Sequence, residues 1–283
     1  MTIQTISVIG AGTMGHGIAQ VAAQAGYTVF LYDIAQPFVD RGLASIAANL
    51  DKGIERGKLT PEQKSEALGR IRGGTELRAA AASADLVIEA IPEKLSLKGE
   101  LYSSLAPLAR EHCIFASNTS SLSIGKLAAL SGRPDRFLGM HFFNPVHIMK
   151  LLEIVVTPQT SAETLQACKA VGERLGKDCI VVKDFPGFAT SRLGVCLGLE
   201  AIRMLEQGVA SAADIDKAMT LGYAHPMGPL KLTDLVGLDV RLAIADYLHA
   251  ELESEVFSAP ALMRQMVAEG KLGKKSGKGF YEW

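Results

Sequence analysis

The chain has 283 residues, with 29 lysines and arginines against 30 aspartates and glutamates and a formal net charge of −1. That balance lacks the basic bias of a nucleic-acid binder, and the length is enough for one to two domains with a full core. Cys113, Cys168, Cys179 and Cys196 are widely spaced, with no Cys-x-x-Cys pair and no histidine cluster, so neither a disulfide framework nor a metal site is expected and they read as small buried apolar residues.

The N-terminus enters a strand at once, Ile6-Ser7-Val8-Ile9, without a basic leader or cleavage signal, and no apolar run is long enough to span a bilayer. A cytoplasmic protein without membrane contact is expected. Gly10-Ala11-Gly12-Thr13-Met14-Gly15 follows that strand directly. In this pattern Gly10 suits the tight turn, Gly12 lets the backbone approach a pyrophosphate, and Gly15 lets the next helix pack closely on the sheet. The free N–H groups at the helix start, including those of Thr13 and Met14, then face phosphates. The second strand, Thr28-Val29-Phe30-Leu31-Tyr32, closes on Asp33. That carboxylate can accept two hydrogen bonds from an adenosine ribose and would repel a 2′-phosphate, which points to NAD rather than NADP.

Helices are predicted over about 13–25 and 37–57. A third starts at Thr60, where Pro61 fits the first helical position and Gln63 completes a capping box. Ala79–Ala82 reads as an alanine-rich loop or helix end. Further strands are predicted at Leu86–Ala90, Cys113–Ser117, Phe137–His141, Leu151–Val156 and Ile180–Val182. This alternation is that of a parallel sheet with helices on both faces, so residues 1–183 read as a Rossmann-type α/β domain. From residue 184 the pattern changes to helices at about 187–208, 211–221, 231–250 and 260–269, an all-helical domain over 184–283. The first of these is apolar over more than one face and is expected to be buried on several sides, within its domain or in a homodimer.

Ligands of open α/β sheets bind outside the carboxyl ends of the strands, and three polar groups fall there: Ser117-Asn118-Thr119-Ser120, His141-Phe142-Phe143-Asn144-Pro145, and Glu153 in the next strand. Oxidising an alcohol requires a base for the hydroxyl proton as hydride leaves, and histidine titrates in the right range. A carboxylate on a neighbouring strand can fix the imidazole tautomer and stabilise the imidazolium. His141 and Glu153 fit these roles. A lone histidine at a strand end is usually structural, but its company here favours catalysis. Buried in an apolar strand, Glu153 needs a partner in either case. Other sites have bland readings beside their functional ones: Ser120 as the cap of a helix at about 123–130, Asn118 as a turn former, Glu93 and Lys98 as a solvated helix-start pair, and Lys275 as part of a mobile cationic tail.

Ala116–Leu122 together with His141–Pro145 resembles the 3-hydroxyacyl-CoA dehydrogenases. The resemblance extends through Ile88-Glu89-Ala90, Pro186-Gly187-Phe188, His225–Pro229 with Asp234 and Gly237-Leu238-Asp239, and the closing Gly273–Tyr281. It implies reversible NAD-dependent oxidation of an (S)-3-hydroxyacyl-CoA, a Rossmann domain joined to a helical dimerisation domain, and an acyl-CoA substrate. The stand-alone length is most similar to short-chain 3-hydroxybutyryl-CoA enzymes. Carried over by position, His141 is the base, Glu153 its orienting carboxylate and Ser120 a hydrogen-bond partner of the substrate oxygen, with Asn144 beside the nicotinamide. Glu93, Lys98 and Asn118 fall around the nicotinamide ribose, and Lys275 near the cofactor. Asn49 and Arg56 match positions that contact CoA, with Lys52 and Lys58 as alternative cations. Ser191 stands where many relatives have an asparagine at the reactive centre, and a hydroxyl there can still make one hydrogen bond. Two other readings share these features: a sugar-acid dehydrogenase of the L-gulonate type, and a non-catalytic NAD-binding structural protein.

Overall fold

Strands alternate with helices up to Asp184, where the first of two units ends; the second runs from Phe185 to Trp283. The computed structural model describes residues 2–283. The first unit holds one sheet of eight strands, β1 (Thr5–Ile9), β2 (Thr28–Tyr32), β3 (Ile71–Gly74), β4 (Leu86–Glu89), β5 (Ile114–Ser117), β6 (Phe137–Phe142), β7 (Leu151–Val156) and β8 (Asp178–Lys183), in the order β3-β2-β1-β4-β5-β6-β7-β8. The order reverses beside β1, so β1 and β4 open the crevice in which such sheets take their ligands. Ile6, Val8, Leu31, Leu86 and Ile88 are fully buried, as near-continuous apolar strands of a sheet covered on both faces should be.

The sheet is not parallel throughout. β6 and β7 pair antiparallel, while β7 and β8 are parallel to each other. The reason is length: the eight residues from Phe143 to Lys150 are too few for a crossover helix, which a parallel return would need. The helices of this unit are α1 (Thr13–Gln24), α2 (Gln36–Glu55), α3 (Pro61–Gly69), α4 (Leu77–Ala82), α5 (Leu95–Leu105), α6 (Ile124–Leu130) and α7 (Ala162–Arg174). The capping box expected at Thr60 is present, with the Thr60 side chain accepting from Gln63 N and the Gln63 side chain from Thr60 N. α6 is capped by Ser123, whose hydroxyl accepts from Lys126 N, and not by Ser120.

The second unit is helical: α8 (Thr190–Glu206), α9 (Ala212–Gly222), α10 (Pro229–Val236), α11 (Leu238–Leu252) and α12 (Ala261–Ala268). The single helix expected over 231–250 is two. Gly237, at φ +106°, ends α10 and starts α11 in a conformation that side chains rarely adopt. Ile202, Leu230, Ala245, Leu248 and Met263 form the core. The glycine-rich end of the chain is tied down rather than loose. The carboxylate of Asp234, fully buried, accepts from Phe280 N, Tyr281 N and Trp283 Nε1, each at 2.9 Å. Tyr281 also donates to Asp216 Oδ2 at 2.7 Å.

Candidate active site

The glycine loop leaves β1 at Gly10, whose φ of +102° and whose close approach to Ala90 O, 2.7 Å from where a Cβ would stand, exclude larger residues. At Gly15 a Cβ would lie 1.7 Å from Gly10 O, so α1 can start this close to the turn only with glycine there. Gly12 is different: nothing lies within 4 Å of its Cβ position, so its missing side chain leaves room for a ligand. α1 has no side-chain cap and no acid in its first turn, so its leading N–H groups, with the positive end of the helix dipole behind them, suit an anion. Asp33 lines the same cavity of about 730 Å³, with Thr13, Ile34, Ile91 and Leu97. Its Oδ2 accepts from Ala11 N at 2.8 Å and its Oδ1 from Ile34 N at 2.7 Å. Asp33 therefore pins the loop, and each oxygen keeps a second acceptor position for a ribose. These features fit a dinucleotide.

A buried charge cluster closes the next two strand ends. Glu89, at the end of β4 and fully buried, accepts from Lys98 Nζ at 2.5 Å, Ser117 Oγ at 2.6 Å and Ile91 N at 2.7 Å. Lys98 also reaches Glu93 at 3.2 Å. Lys98 is only 1 % exposed, so Glu93 and Lys98 are not a solvated helix-start pair. Glu93 in turn gathers the loop after β5: Thr119 donates its hydroxyl to Oε1, Ser120 N does so at 2.9 Å and Ser121 N at 3.2 Å. Burial pushes the Glu93 carboxyl up, but Lys98 and these donors outweigh it and hold it below its ordinary value. Glu89 was legible only as an acid closing an apolar strand nine residues before a lysine. Lys98→Met should lower unfolding free energy by about 3–5 kcal/mol, because it leaves Glu89 buried without its cation. A urea midpoint equal to that of the native chain would show that Glu89 does not depend on this pair.

His141 lies on β6 directly opposite Glu153 on β7, and its Nδ1 is 2.7 Å from Glu153 Oε2. Because β7 runs antiparallel, its beginning meets the carboxyl end of β6, which puts the acid at the ligand edge of the sheet. Glu153 is fully buried and His141 6 % exposed. An ionised carboxylate can only accept, so Nδ1 carries the proton and Nε2 is left basic. Phe143 flanks the imidazole with ring centroids 4.5 Å apart.

Asn118 Oδ1 accepts from Phe142 N at 2.9 Å, so this residue stitches the end of β5 to the end of β6 and keeps its amide nitrogen for a ligand. Ser120 Oγ is 3.4 Å from Glu93 Oε1. Asn144 is exposed, just beyond β6. On α2, Asn49 Nδ2 donates to Gln20 Oε1 at 3.2 Å, and Arg56 is exposed at the helix end. In the second unit, Ser191 sits in the first turn of α8, and Lys275 Nζ donates to Asp239 Oδ2 at 2.6 Å. Burial pushes the Cys113 thiol up to about 12 and raises that of Cys168 further, so neither is a nucleophile near neutral pH.

Residues 5–185 match the domain described as 3-hydroxyacyl-CoA dehydrogenase, NAD binding domain, and residues 187–283 match 3-hydroxyacyl-CoA dehydrogenase, C-terminal domain. A Deinococcus radiodurans protein named "Probable 3-hydroxybutyryl-CoA dehydrogenase" is 47% identical over 276 residues, 98% of this chain and 99% of its own. The mitochondrial hydroxyacyl-coenzyme A dehydrogenase of Sus scrofa is 45% identical over 288 residues, 99% of this chain and 91% of its own. Among solved structures, the (S)-3-hydroxybutyryl-CoA dehydrogenase PaaH1 of Ralstonia eutropha is similar with a TM-score of 0.96 at 44% identity, covering 100% of this chain and 99% of that one.

Proposed function

We propose that this chain, which belongs to the 3-hydroxyacyl-CoA dehydrogenase family, reversibly oxidises short-chain (S)-3-hydroxyacyl-CoA, with 3-hydroxybutyryl-CoA and acetoacetyl-CoA as its substrate pair. The observation that carries this reading is the His141–Glu153 pair, 2.7 Å apart on the ligand edge of a sheet whose first turn is built for a dinucleotide. The relatives' names supply the substrate class.

When bound, NAD supplies the acceptor for the hydride that leaves C3 of the substrate. The residues that would hold it are the amides after Gly12, with Asp33 on the adenosine ribose and Glu93, Lys98, Asn118 and Asn144 toward its nicotinamide end. The rest of the chemistry belongs to the chain. Nε2 of His141 takes the C3 hydroxyl proton, and Glu153 holds the ring through Nδ1 and stabilises the imidazolium with a charge-assisted hydrogen bond. In the reverse direction the imidazolium returns that proton to the developing alkoxide. Ser120 holds the substrate oxygen: its long contact to Glu93 is one that rotation of a hydroxyl can exchange. Asn49 and Arg56 meet the CoA moiety, the arginine as a planar fork for phosphate oxygens.

Absorbance of NADH during oxidation of (S)- and (R)-3-hydroxybutyryl-CoA tests this directly. Only the (S)-thioester should be consumed; equal rates on both, or turnover of the (R) form alone, would refute the assignment. Asp33→Ala should weaken NADH and relax the exclusion of NADPH, read as the ratio of kcat/KM for the two cofactors. An unchanged ratio would remove Asp33 from cofactor selection. A homodimer through the helical unit is part of this reading: Leu193, Leu221 and Tyr223 are 71 %, 80 % and 76 % exposed in the single chain, an amount of apolar surface that association would cover. A cytoplasmic setting is proposed with it; among the described residues no helix is long and apolar enough to cross a membrane.

A further inference from the structure

A second cavity in the first unit, of about 390 Å³, is built from the end of α1, the β6–β7 connection and the turn from α7 into β8. Its lining includes His147, Lys150, Arg174 and Lys177 and no acidic side chain. Glu173 and Asp178 neighbour these residues in sequence but do not line the cavity, and Glu173 faces Lys169 at 3.9 Å.

Two of the cations, Arg174 and Lys177, are held in place. Arg174 Nε donates to Ala25 O at 2.9 Å, and its guanidinium lies 4.2 Å from the centre of the Tyr27 ring, so the fork is fixed by its inner nitrogen and its face. Lys177 is 7 % exposed, and its ammonium donates to Val146 O and, at 2.7 Å, to Met149 O. Carbonyls solvate that charge without cancelling it, so the wall carries a net positive charge away from water. The surroundings of His147 reflect the same field: burial lowers its pKa first, and His16, Lys177, Arg56 and Lys52 lower it further. That leaves His147 neutral near pH 7, and the three remaining cations, Lys150, Arg174 and Lys177, with no acid in the lining, favour an anion.

We infer that this cavity binds a phosphate ester, with the Arg174 fork, Lys150 and His147 around the phosphate oxygens and Lys177 adding charge through the wall. Val21 and Leu175 leave an apolar side suited to an attached organic group. The phosphate has two possible sources, the distal phosphates of a CoA thioester or a free organic phosphate. Only the first rests on the activity proposed above.

Calorimetric titration of the intact protein with adenosine 3′,5′-bisphosphate is the test, using the native chain, the double variant His147→Gln/Lys150→Gln and Arg56→Gln. Lys150 and His147 are exposed, so the double variant should fold. It should weaken the bisphosphate by about tenfold or more, the effect of losing a charge-assisted contact. No binding to the native chain, or binding that survives in the double variant, overturns the site; so does binding lost only in Arg56→Gln. Steady-state rates with acetoacetyl-CoA and acetoacetyl-dephospho-CoA then separate the sources. If the thioester supplies the phosphate, the dephospho substrate raises KM about tenfold in the native chain and not in the double variant. If KM is the same for both substrates while bisphosphate binding is still lost in the variant, the ligand is a free phosphate ester. A protein inactive on every thioester that still binds the bisphosphate would retract the activity and leave the site standing.

Discussion

His141→Gln should lower kcat by about 10²–10⁴-fold, the usual contribution of a positioned general base, and leave NADH affinity unchanged. Glutamine is close in size to the imidazole, and its amide can still donate to Glu153, so the β6–β7 pairing around it is retained. What it cannot do is accept a proton and return it. The loss should therefore fall on kcat and on kcat/KM together, the signature of an interaction made in the transition state. Fluorescence titration with NADH and initial rates with acetoacetyl-CoA check both halves. Near-native turnover with intact NADH binding would take the base away from His141.

Glu153→Gln should be comparably severe, with kcat reduced by about 10³-fold, for a different reason. The carboxylate accepts only, and so forces the proton onto Nδ1. A glutamine amide can donate to Nδ1 instead, which moves the ring proton to Nε2 and points an N–H where the base should be. It also removes the charge that stabilises the imidazolium. Folding should suffer much less, because the neutral amide escapes the desolvation penalty of a fully buried carboxylate while keeping a hydrogen bond. A large loss of activity with a urea midpoint close to native distinguishes orientation of the base from a structural role for Glu153. Proportionate losses of both would assign Glu153 to the fold alone.

The parts of this site that were legible from the residues are those fixed by local geometry. A glycine that must turn at positive φ, one that must sit against the backbone of the turn and one that must leave a space give Gly10, Gly15 and Gly12 a spacing that few other structures demand. His141 and Glu153 were legible because each follows or interrupts an apolar strand, where a polar residue needs a reason. The antiparallel return of β7 was missed, although the eight residues between the strands, too short for a crossover, contained the signal. β3 was missed because Ile71-Arg72-Gly73-Gly74 has one apolar residue; it forms by pairing with β2 rather than by its own pattern. α5 and α7 were not delimited, and α4 showed only as an alanine run. The break at Gly237 was hidden because apolar spacing continues across it. Glu89 escaped notice as a site residue because its role depends on Lys98 and Ser117, which only the fold brings to it. Substrate class came from the family resemblance, since no single residue of the strand ends encodes a thioester.

The most direct measurement is the rate of NADH consumption with acetoacetyl-CoA, set against free acetoacetate and a sugar-derived keto acid under the same conditions. Rapid turnover of the thioester, with neither free acid consumed, is the predicted result. Activity confined to the free acids, or none on any of the three despite intact NADH binding, would contradict it.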